Sequence, residues 1–319
     1  IYDEARSGWL YPLFDLPQAQ KAFKRGEWNK MRVEALGESV RVWLNGVPTA
    51  DMVCQMDMSG FIALQVHDIG TRQELAGRTI RWRNIRIKTD NLDEELSPAI
   101  ESIPQKNYVP NTLSEREKAE GWALLWNGVD MSGWKSNSGK DFKKGWTCAD
   151  GVMTINPKSG AGDIITERKY HDFELSIDFK FAEGANSGIK YFIGANGSVG
   201  CEYQILDDER HPDATKGFEG NRKLGSLYDI LAAPGWKYVR KGDWNTARIV
   251  VRGVEVEHWI NGVKILSYTK AGKEWDELIA RSKFAKVKNF AGGDGGHILL
   301  QDHNDKVQYR NLKIRELNK

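Results

Sequence analysis

The sequence predicts an all-β fold, a sandwich or jelly roll of short antiparallel strands. Apolar and polar side chains alternate over segments such as residues 173–181 and 254–259, which is typical of strands with one buried face. Turn dipeptides separate these segments, and the Asn261-Gly262 pair predicts a hairpin tip between two strands. Helical periodicity is scarce, so we expect a domain built from many short strands.

Two short helices are expected in this β-rich chain. The first lies within residues 113–122, where Ser114 and Glu117 have the spacing of a capping box. The second lies within residues 273–284, whose apolar residues recur at helical spacing. These apolar residues are Trp275, Leu278 and Ile279.

The chain repeats itself, and the first copy is shorter than the second. The matching residues include Trp28 and Trp244, Asn45 and Asn261, Gln65 and Gln301, and Arg83 and Arg310. In both copies 17 positions separate the tryptophan from the asparagine. Between the asparagine and the glutamine there are 20 positions in the first copy and 40 in the second. The second copy therefore carries an insertion, and the predicted second helix lies within it.

The repeat sets the expected domain boundaries. Residues 1–88 match only the C-terminal half of the repeat, beginning where Tyr2 matches Tyr228. Residues 89–118 are interpreted as an acidic, proline-containing linker with a short helix, and residues 119–319 as a complete copy. A half-sandwich exposes an apolar face and unpaired strand edges. We therefore expect the missing half of the first copy to come from residues outside this sequence or from another chain.

Composition and charge argue against several classes of function. The net charge is +2 and the charges are mixed along the chain, which disfavours a nucleic-acid or membrane-surface partner. No apolar run reaches the roughly 18 residues of a membrane span. The 12 tryptophans suit either a sandwich core or a sugar-binding face. The three cysteines lack the spacing of metal ligands and are interpreted as small buried apolar residues: Cys54, Cys148 and Cys201.

A series of short motifs runs through residues 121–317 in a fixed order. They are Leu125-Trp126-Asn127-Gly128, Asn186-Ser187-Gly188-Ile189, Glu202-Tyr203-Gln204-Ile205-Leu206-Asp207, Gly225-Ser226-Leu227-Tyr228, Leu300-Gln301-Asp302-His303 and Tyr309-Arg310-Asn311. Together they resemble the 3-keto-disaccharide hydrolase family, also described as 3-keto-glucoside 1,2-lyase/3-keto-2-hydroxyglucal hydratase domains. Residues 1–88 resemble the later part of the same pattern, with Val66 where Asp302 stands. The resemblance implies a concanavalin-like jelly-roll β-sandwich in two tandem copies, the first truncated, and a bacterial periplasmic, cell-surface or secreted location.

The resemblance also implies a reaction on an oligosaccharide or glucoside. A ketone at C3 of a glucosyl unit acidifies the C2 proton, so a base can remove it and the enolate can expel the C1 oxygen. Addition of water then completes a net glycoside hydrolysis. Such a site needs a base near C2, a cation for the enolate oxygen and an acid for the leaving oxygen. The alternative is a non-catalytic carbohydrate-binding module, which would need aromatic side chains more than titrating groups.

Five polar side chains are expected to line one face of the sandwich. Side chains two positions apart on a strand share a face, so Glu202 and Gln204 share one, and Gln301 and His303 share one on another predicted strand. On a third strand Lys190 points away from the core, because its neighbours Ile189 and Tyr191 are expected to point into it. We predict that Glu202 and His303 carry protons and that Lys190 lies near the ketone oxygen. For Glu202 the competing interpretation is an ordinary solvated strand residue, and for His303 it is a brace for its own loop.

The remaining candidates are assigned to substrate binding. Together with Gln204 and Gln301 they are Asn186, Asp207, Tyr228 and Arg310. Arg310 could also stabilise an enolate, although its repetition as Arg83 favours a structural role. No cofactor is expected and no metal ligand is assigned, except that Asp207, Asp208 and Glu209 could bind calcium if they are not simply an acidic loop.

Overall fold

The computed structural model describes residues 1–3, 8–13, 16–139, 141–142, 144–194, 197–292 and 295–317. The chain divides into two compact units. The larger unit comprises Ile1–Pro17 and Val109–Lys319, and the smaller unit comprises Gln18–Tyr108.

The helices and strands are short, and most of them are strands. In chain order they are β1 (Tyr2–Asp3), β2 (Gly8–Trp9), α1 (Pro17–Lys21), β3 (Met31–Leu36), β4 (Ser39–Leu44), β5 (Val47–Val53), β6 (Lys106–Asn107), α2 (Glu115–Ala119), β7 (Ala123–Leu124), β8 (Trp134–Ser136), β9 (Trp146–Ala149), β10 (Val152–Ile155), β11 (Ile164–Thr166), β12 (Phe173–Phe181), β13 (Asn186–Ile193), β14 (Cys201–Leu206), β15 (Asn245–Arg252), β16 (Glu255–Ile260), β17 (Val263–Thr269), α3 (Gly272–Arg281), β18 (His297–Leu300) and β19 (Val307–Glu316). Single 3-10 turns lie at Gln73–Leu75, Leu92–Glu94 and Pro212–Thr215.

The larger unit is a β-sandwich of two antiparallel sheets. The first sheet has eight strands, seven of them in the order β17-β16-β15-β12-β19-β10-β9, with β7 paired to β19. The second sheet has five strands in the order β14-β13-β18-β11-β8. This architecture confirms the predicted all-β jelly-roll sandwich.

Strand alternation places the apolar core between the two sheets. From the eight-stranded sheet, β12 buries Phe173, Leu175, Ile177 and Phe179 in the core. From the five-stranded sheet, β14 buries Cys201, Tyr203 and Ile205 in the same core. Each large apolar side chain removed from water contributes about 1.5–3 kcal/mol. The residues between them on β14 therefore lie on the outer face of the five-stranded sheet, and this face carries the candidate site.

Both predicted helices are present. Helix α2 begins with the full capping box: the N–H of Glu117 donates to Oγ of Ser114 at 3.1 Å, and the N–H of Ser114 donates to Oε2 of Glu117 at 2.8 Å. Helix α3 buries Trp275 and Leu278, as its apolar spacing predicted. In the part of the chain that the structure describes, no helix is both long and apolar enough to cross a membrane.

The smaller unit contains one sheet in the order β3-β4-β5-β6, in which β5 and β6 are parallel. Its hairpin tip is Asn45-Gly46, with φ of 52° and 83°, as a two-residue turn of the primed type requires. Residues 54–105, all of which the structure describes, contain no strand. Apolar side chains in this stretch are exposed, among them Phe61 and Val66, which are 104% and 97% exposed.

Candidate active site

Strands β13 and β14 carry the central residues of the candidate site. Lys190 lies opposite Glu202 in the antiparallel register, and Gly188 lies opposite Gln204. Glu202 and Gln204 face away from the core that contains Tyr203, because side chains alternate along β14. They are nevertheless buried, since Glu202 is 5% exposed and Gln204 is 1% exposed. Glu202 is therefore not a solvated strand residue.

The glycine at position 188 makes room for the carboxyl group of Glu202. A Cβ atom on Gly188 would lie 2.2 Å from Oε1 of Glu202, so any side chain there would displace the carboxyl group. Gln204, two residues after Glu202 on the same face of β14, holds the carboxyl group of Glu202 in place. In the amide orientation that satisfies both of its ends, its nitrogen donates to Oε1 of Glu202 at 3.3 Å and to the carbonyl oxygen of Ser187 at 3.0 Å. Glycine and glutamine thus fix where the carboxyl group lies.

The surroundings of Glu202 raise its pKa. Burial is the largest cause, and the positive charges of Lys190 and Lys283 partly offset it. The nearby Asp163 carboxyl raises the pKa further, whereas His303 lowers it. A carboxylate with a raised pKa is a stronger base than an exposed glutamate and, when protonated, can serve as an acid.

Lys190 forms a buried ion pair with Glu202. Its Nζ lies 3.7 Å from Oε2 of Glu202 and donates to the carbonyl oxygen of Ser198 at 3.4 Å. Lys190 is 9% exposed, so removing either member of the pair would leave the other charge buried without its partner.

The loop that follows β18 is tied to the start of β11. The N–H of Asp302 donates to Oδ1 of Asp163 at 3.0 Å, and the N–H of Gly162 donates to Oδ2 of Asp302 at 2.9 Å. Burial raises the pKa of Asp163. His303 comes next and is exposed, with Nδ1 4.0 Å from Oδ2 of Asp305. Asp302 braces this loop through these two bonds, and the imidazole of His303 is exposed beside Asp305 and His211.

A network of charged groups surrounds Tyr228. Its hydroxyl donates to Oδ2 of Asp213 at 2.8 Å. Arg222 donates to Oδ1 of Asp213 at 3.1 Å and to Oδ1 of Asp229 at 2.6 Å. Burial and the bond to Asp213 raise the pKa of Tyr228. The ammonium of Lys283 lies 4.1 Å from the centroid of the Tyr228 ring.

Two further predicted residues lie at the edge of the same sheet face. The N–H of Gln301 donates to the carbonyl oxygen of Gly188 at 3.0 Å, and the N–H of Asn186 donates to Oδ2 of Asp305 at 3.0 Å. The structure therefore brings together most of the residues expected at the site. They are Lys190, Glu202, Gln204, Asn186, Tyr228, Gln301 and His303.

The structure corrects the expectation that Arg310 joins this group. Arg310 lies on β19, in the eight-stranded sheet, beside Asp178 at 3.6 Å. Tyr309 points into the core, so its neighbour Arg310 points outward, where its guanidinium lies 4.2 Å from the Trp244 ring centroid. Arg310 is therefore on the far side of the sandwich, and its contacts stabilise the outer face of the other sheet.

The carboxylate of Asp207 is used by its own loop. It accepts N–H bonds from Gly184 at 2.8 Å, Glu209 at 3.1 Å and Arg210 at 3.3 Å. Burial alone would raise the pKa of Asp207, but these bonds hold it below its usual value. Its neighbours are also engaged: Asp208 pairs with Lys237, and Glu209 pairs with Lys241. Calcium binding by this loop stays a prediction, and these contacts do not favour it.

A different group of described residues has the composition of a metal site. His211, His303 and Asp305 each offer a ligand atom, and these atoms lie within 4.8 Å of one another. Nδ1 of His211, however, accepts the N–H of Asp213 at 3.1 Å. With that bond in place a neutral His211 carries its proton on Nε2, so this ring could ligate a metal only if the bond broke.

Sequence reasoning missed Asp163 and Lys283. Asp163 stands outside every motif and reaches the site only because β11 and β18 are neighbours. Lys283 lies two residues after α3, inside the insertion that the first copy lacks. That difference between the copies was visible in the sequence and could have identified Lys283.

Comparison with known proteins agrees with this fold and identifies the family. The family described as the 3-keto-alpha-glucoside-1,2-lyase-like domain matches residues 1–88 and 121–315. A 3-keto-disaccharide hydrolase of Bacteroides thetaiotaomicron is 32% identical over 230 residues, which is 62% of this chain and 79% of that protein. A crystal structure of a candidate glycosyl hydrolase from Parabacteroides distasonis is 33% identical with a TM-score of 0.60, and it covers 66% of this chain and 100% of that one.

Fold and site together define a jelly-roll β-sandwich protein with a buried, charged sheet face. The chain belongs to the 3-keto-alpha-glucoside-1,2-lyase-like domain family, as its motifs predicted.

Proposed function

We propose that the larger unit is a carbohydrate-active hydrolase that cleaves 3-keto glucosides by C1–C2 elimination followed by rehydration. Its family and the names of its relatives support a hydrolase that acts on carbohydrates. The observation that carries the finer proposal is Glu202. It is a buried carboxyl group with a raised pKa, paired with Lys190, on a sheet face that also presents an exposed histidine.

The chemistry needs a base of this kind. The C3 ketone makes the C2 proton acidic, and Glu202 removes it. The electron pair passes to the ketone oxygen as an enolate, which positive charge on this face stabilises. When the enolate collapses, the bond between C1 and the glycosidic oxygen breaks, and protonated His303 gives its proton to that oxygen. Water then adds at C1 and gives a proton back to His303, and Glu202 returns its own proton to C2.

The substrate is tested by comparing matched pairs of glucosides. The protein is expected to release the aglycone from a 3-keto glucoside and to leave the parent glucoside uncleaved, because only the ketone acidifies C2. Products are identified by mass spectrometry. Cleavage of the parent glucoside at an equal rate would replace the elimination mechanism with ordinary glycosidase chemistry. Binding without turnover of either compound would favour the carbohydrate-binding module.

The site is tested in the same assay with Glu202→Gln. This variant keeps the shape of the side chain and is expected to lower turnover by about 10²-fold or more. Since the pKa of Glu202 is raised, the acid limb of the kcat/KM profile should lie above the pKa of an exposed glutamate. Near-normal turnover by the variant would remove Glu202 from the mechanism.

A further inference from the structure

Lys283 lies in the segment that distinguishes the second copy from the first. The segment between β17 and β18 contains α3, and the first copy has 20 fewer positions there. Lys283 comes shortly after the end of α3 and is exposed to solvent, whereas Glu202 is buried. A ligand that enters this face can therefore reach the Lys283 side chain.

Two contacts hold Lys283 in place. Its backbone N–H donates to Oδ2 of Asp229 at 2.7 Å, and the same carboxylate accepts from Arg222. Its ammonium lies 4.1 Å from the centroid of the Tyr228 ring. A long side chain fixed at both its backbone and its charged end loses less freedom when it meets a ligand.

Tyr228, over whose ring the Lys283 ammonium lies, is hydrogen-bonded to Glu202. The N–H of Tyr228 donates to the carbonyl oxygen of Glu202 at 3.0 Å, and the Tyr228 hydroxyl is anchored on Asp213. Although the residue as a whole is exposed, partial desolvation of its ammonium lowers the pKa of Lys283, and the charge of Glu202 partly offsets this effect. In return, the charge of Lys283 lowers the pKa of Glu202. Lys283 is thus linked to the proposed base through Tyr228, and the two charges interact.

The two lysines of this face differ in their partners. Lys190 is buried, paired with Glu202 and bonded to Ser198. Among the described residues no carboxylate lies within 4 Å of the Lys283 ammonium. Lys283 therefore has a charge to offer to a ligand, while that of Lys190 is committed to holding Glu202.

We infer that Lys283 is a catalytic residue whose ammonium contacts the C3 ketone oxygen and stabilises the enolate that forms when Glu202 removes the C2 proton. This inference rests on the proposed function. The C2–H bond breaks, its proton passes to Glu202, and its electron pair forms the C2–C3 double bond. The former ketone oxygen becomes the anion that the ammonium faces. Lys190 keeps Glu202 in position and does not contact the oxygen.

The test isolates proton removal from bond cleavage. A 3-keto form of 1,5-anhydroglucitol has the ketone and the C2 proton but no glycosidic oxygen at C1. Exchange of its C2 proton in D2O, followed by NMR, therefore reports enolate formation alone. Rates are compared on the pH plateau, because loss of the Lys283 charge also raises the pKa of Glu202.

Lys283→Met is expected to slow this exchange by about 10²-fold with little change in the dissociation constant of the analogue. Lys283→Arg, which keeps the charge, should recover part of the rate. Lys286→Met is the matched control, since Lys286 is exposed on the same segment, and should exchange at the wild-type rate. Thermal unfolding shows whether each variant is folded.

Four outcomes would overturn the inference. Exchange by Lys283→Met within about threefold of the wild type would do so, as would a loss of affinity alone with an unchanged rate at saturation. An equal loss of exchange rate in Lys286→Met would show that the effect comes from the overall positive charge of the segment and not from a contact made by Lys283. Absence of exchange in the wild-type protein would overturn the proposed function itself, and this inference with it.

Discussion

The two units contain the same set of three consecutive antiparallel strands, here called the hairpin after its Asn-Gly tip. The chain that follows these strands takes a different form in each unit. Strands β3, β4 and β5 of the smaller unit correspond to β15, β16 and β17 of the larger one. The last two strands of each set match residue for residue, at a constant separation of 216 positions. Each hairpin also has one irregularity in register, between Val42 and Trp43 in the first and between His258 and Trp259 in the second.

The side-chain bonds at the hairpin tip are also the same. Nδ2 of Asn45 donates to Oδ1 of Asn29 at 2.8 Å, and Nδ2 of Asn261 donates to Oδ1 of Asn245 at 2.9 Å. An arginine from a later segment lies over the tryptophan before each hairpin. The distances are 3.9 Å for Arg83 over Trp28 and 4.2 Å for Arg310 over Trp244.

The segments after the hairpins differ. In the larger unit β18 lies between β13 and β11, and β19 lies between β12 and β10. All four partner strands come earlier in the chain than the hairpin. Residues 60–67 and 80–88 of the smaller unit, all described, form no strand, and Ile85 among them is 68% exposed. The comparison shows that the hairpin forms from local sequence, whereas the later strands form only where partner strands are available.

The largest expected difference between the copies is catalytic. His303→Ala is expected to lower kcat/KM on a 3-keto glucoside by about 10³-fold and to remove or move one limb of the pH–rate profile. His67→Ala, the matching change in the first copy, is expected to leave the profile unchanged, since the sheet face that surrounds His303 has no counterpart there. Both profiles are measured by aglycone release. An equal loss of kcat/KM in the two variants would contradict the expected difference between the copies.

The second difference is in acid stability. His258 is fully buried, and burial lowers its pKa from 6.5 to about 4, whereas the matching residue of the first hairpin is Val42. The unfolded chain binds the proton more readily than the folded one between these values. The free energy of unfolding should therefore fall by about 3 kcal/mol as the pH drops from 6.5 to 4, with no further loss from this group at lower pH.

Urea unfolding at several pH values measures this difference. His258→Val places the first hairpin's residue in the second and should remove the contribution of the histidine, although it also leaves the hydroxyl of Tyr191 without its 2.6 Å partner. The difference between wild type and variant isolates the histidine from the carboxylates. A difference that does not change with pH would contradict the prediction.

The smallest expected difference is at the hairpin tips. Asn261→Ala should lower the free energy of unfolding by about 2 kcal/mol, because the three side-chain hydrogen bonds of a buried residue are lost and alanine is strained at φ of 50°. Asn45→Ala should cost about 1 kcal/mol, since Asn45 is only partly buried and water can replace its bonds. Thermal or urea unfolding compares the two variants. Equal losses of unfolding free energy in the two variants would show that burial of the tip does not strengthen its hydrogen bonds.

Much of the site was accessible from the sequence because it depends on strand alternation. Glu202 and Gln204 were expected to share a face, and they do. Arg310 was misplaced because alternation gives the face of a strand but not the sheet to which the strand belongs. Asp163 was missed because its nearness to His303 depends on which strands are neighbours, and that pairing joins residues about 140 positions apart.

The sequence by itself determined the features that depend on residues close together in the chain. These are the Asn-Gly hairpins, the capping box of α2, the apolar face of α3 and the inward and outward sides of each strand. Only the tertiary structure decided that the outward-facing Glu202 is buried, that Lys190 is its partner and that the Lys283 ammonium lies over Tyr228 on the same face. The physical reason is that burial and electrostatics depend on the distant segments that cover a face, and the local sequence does not encode which segments those are.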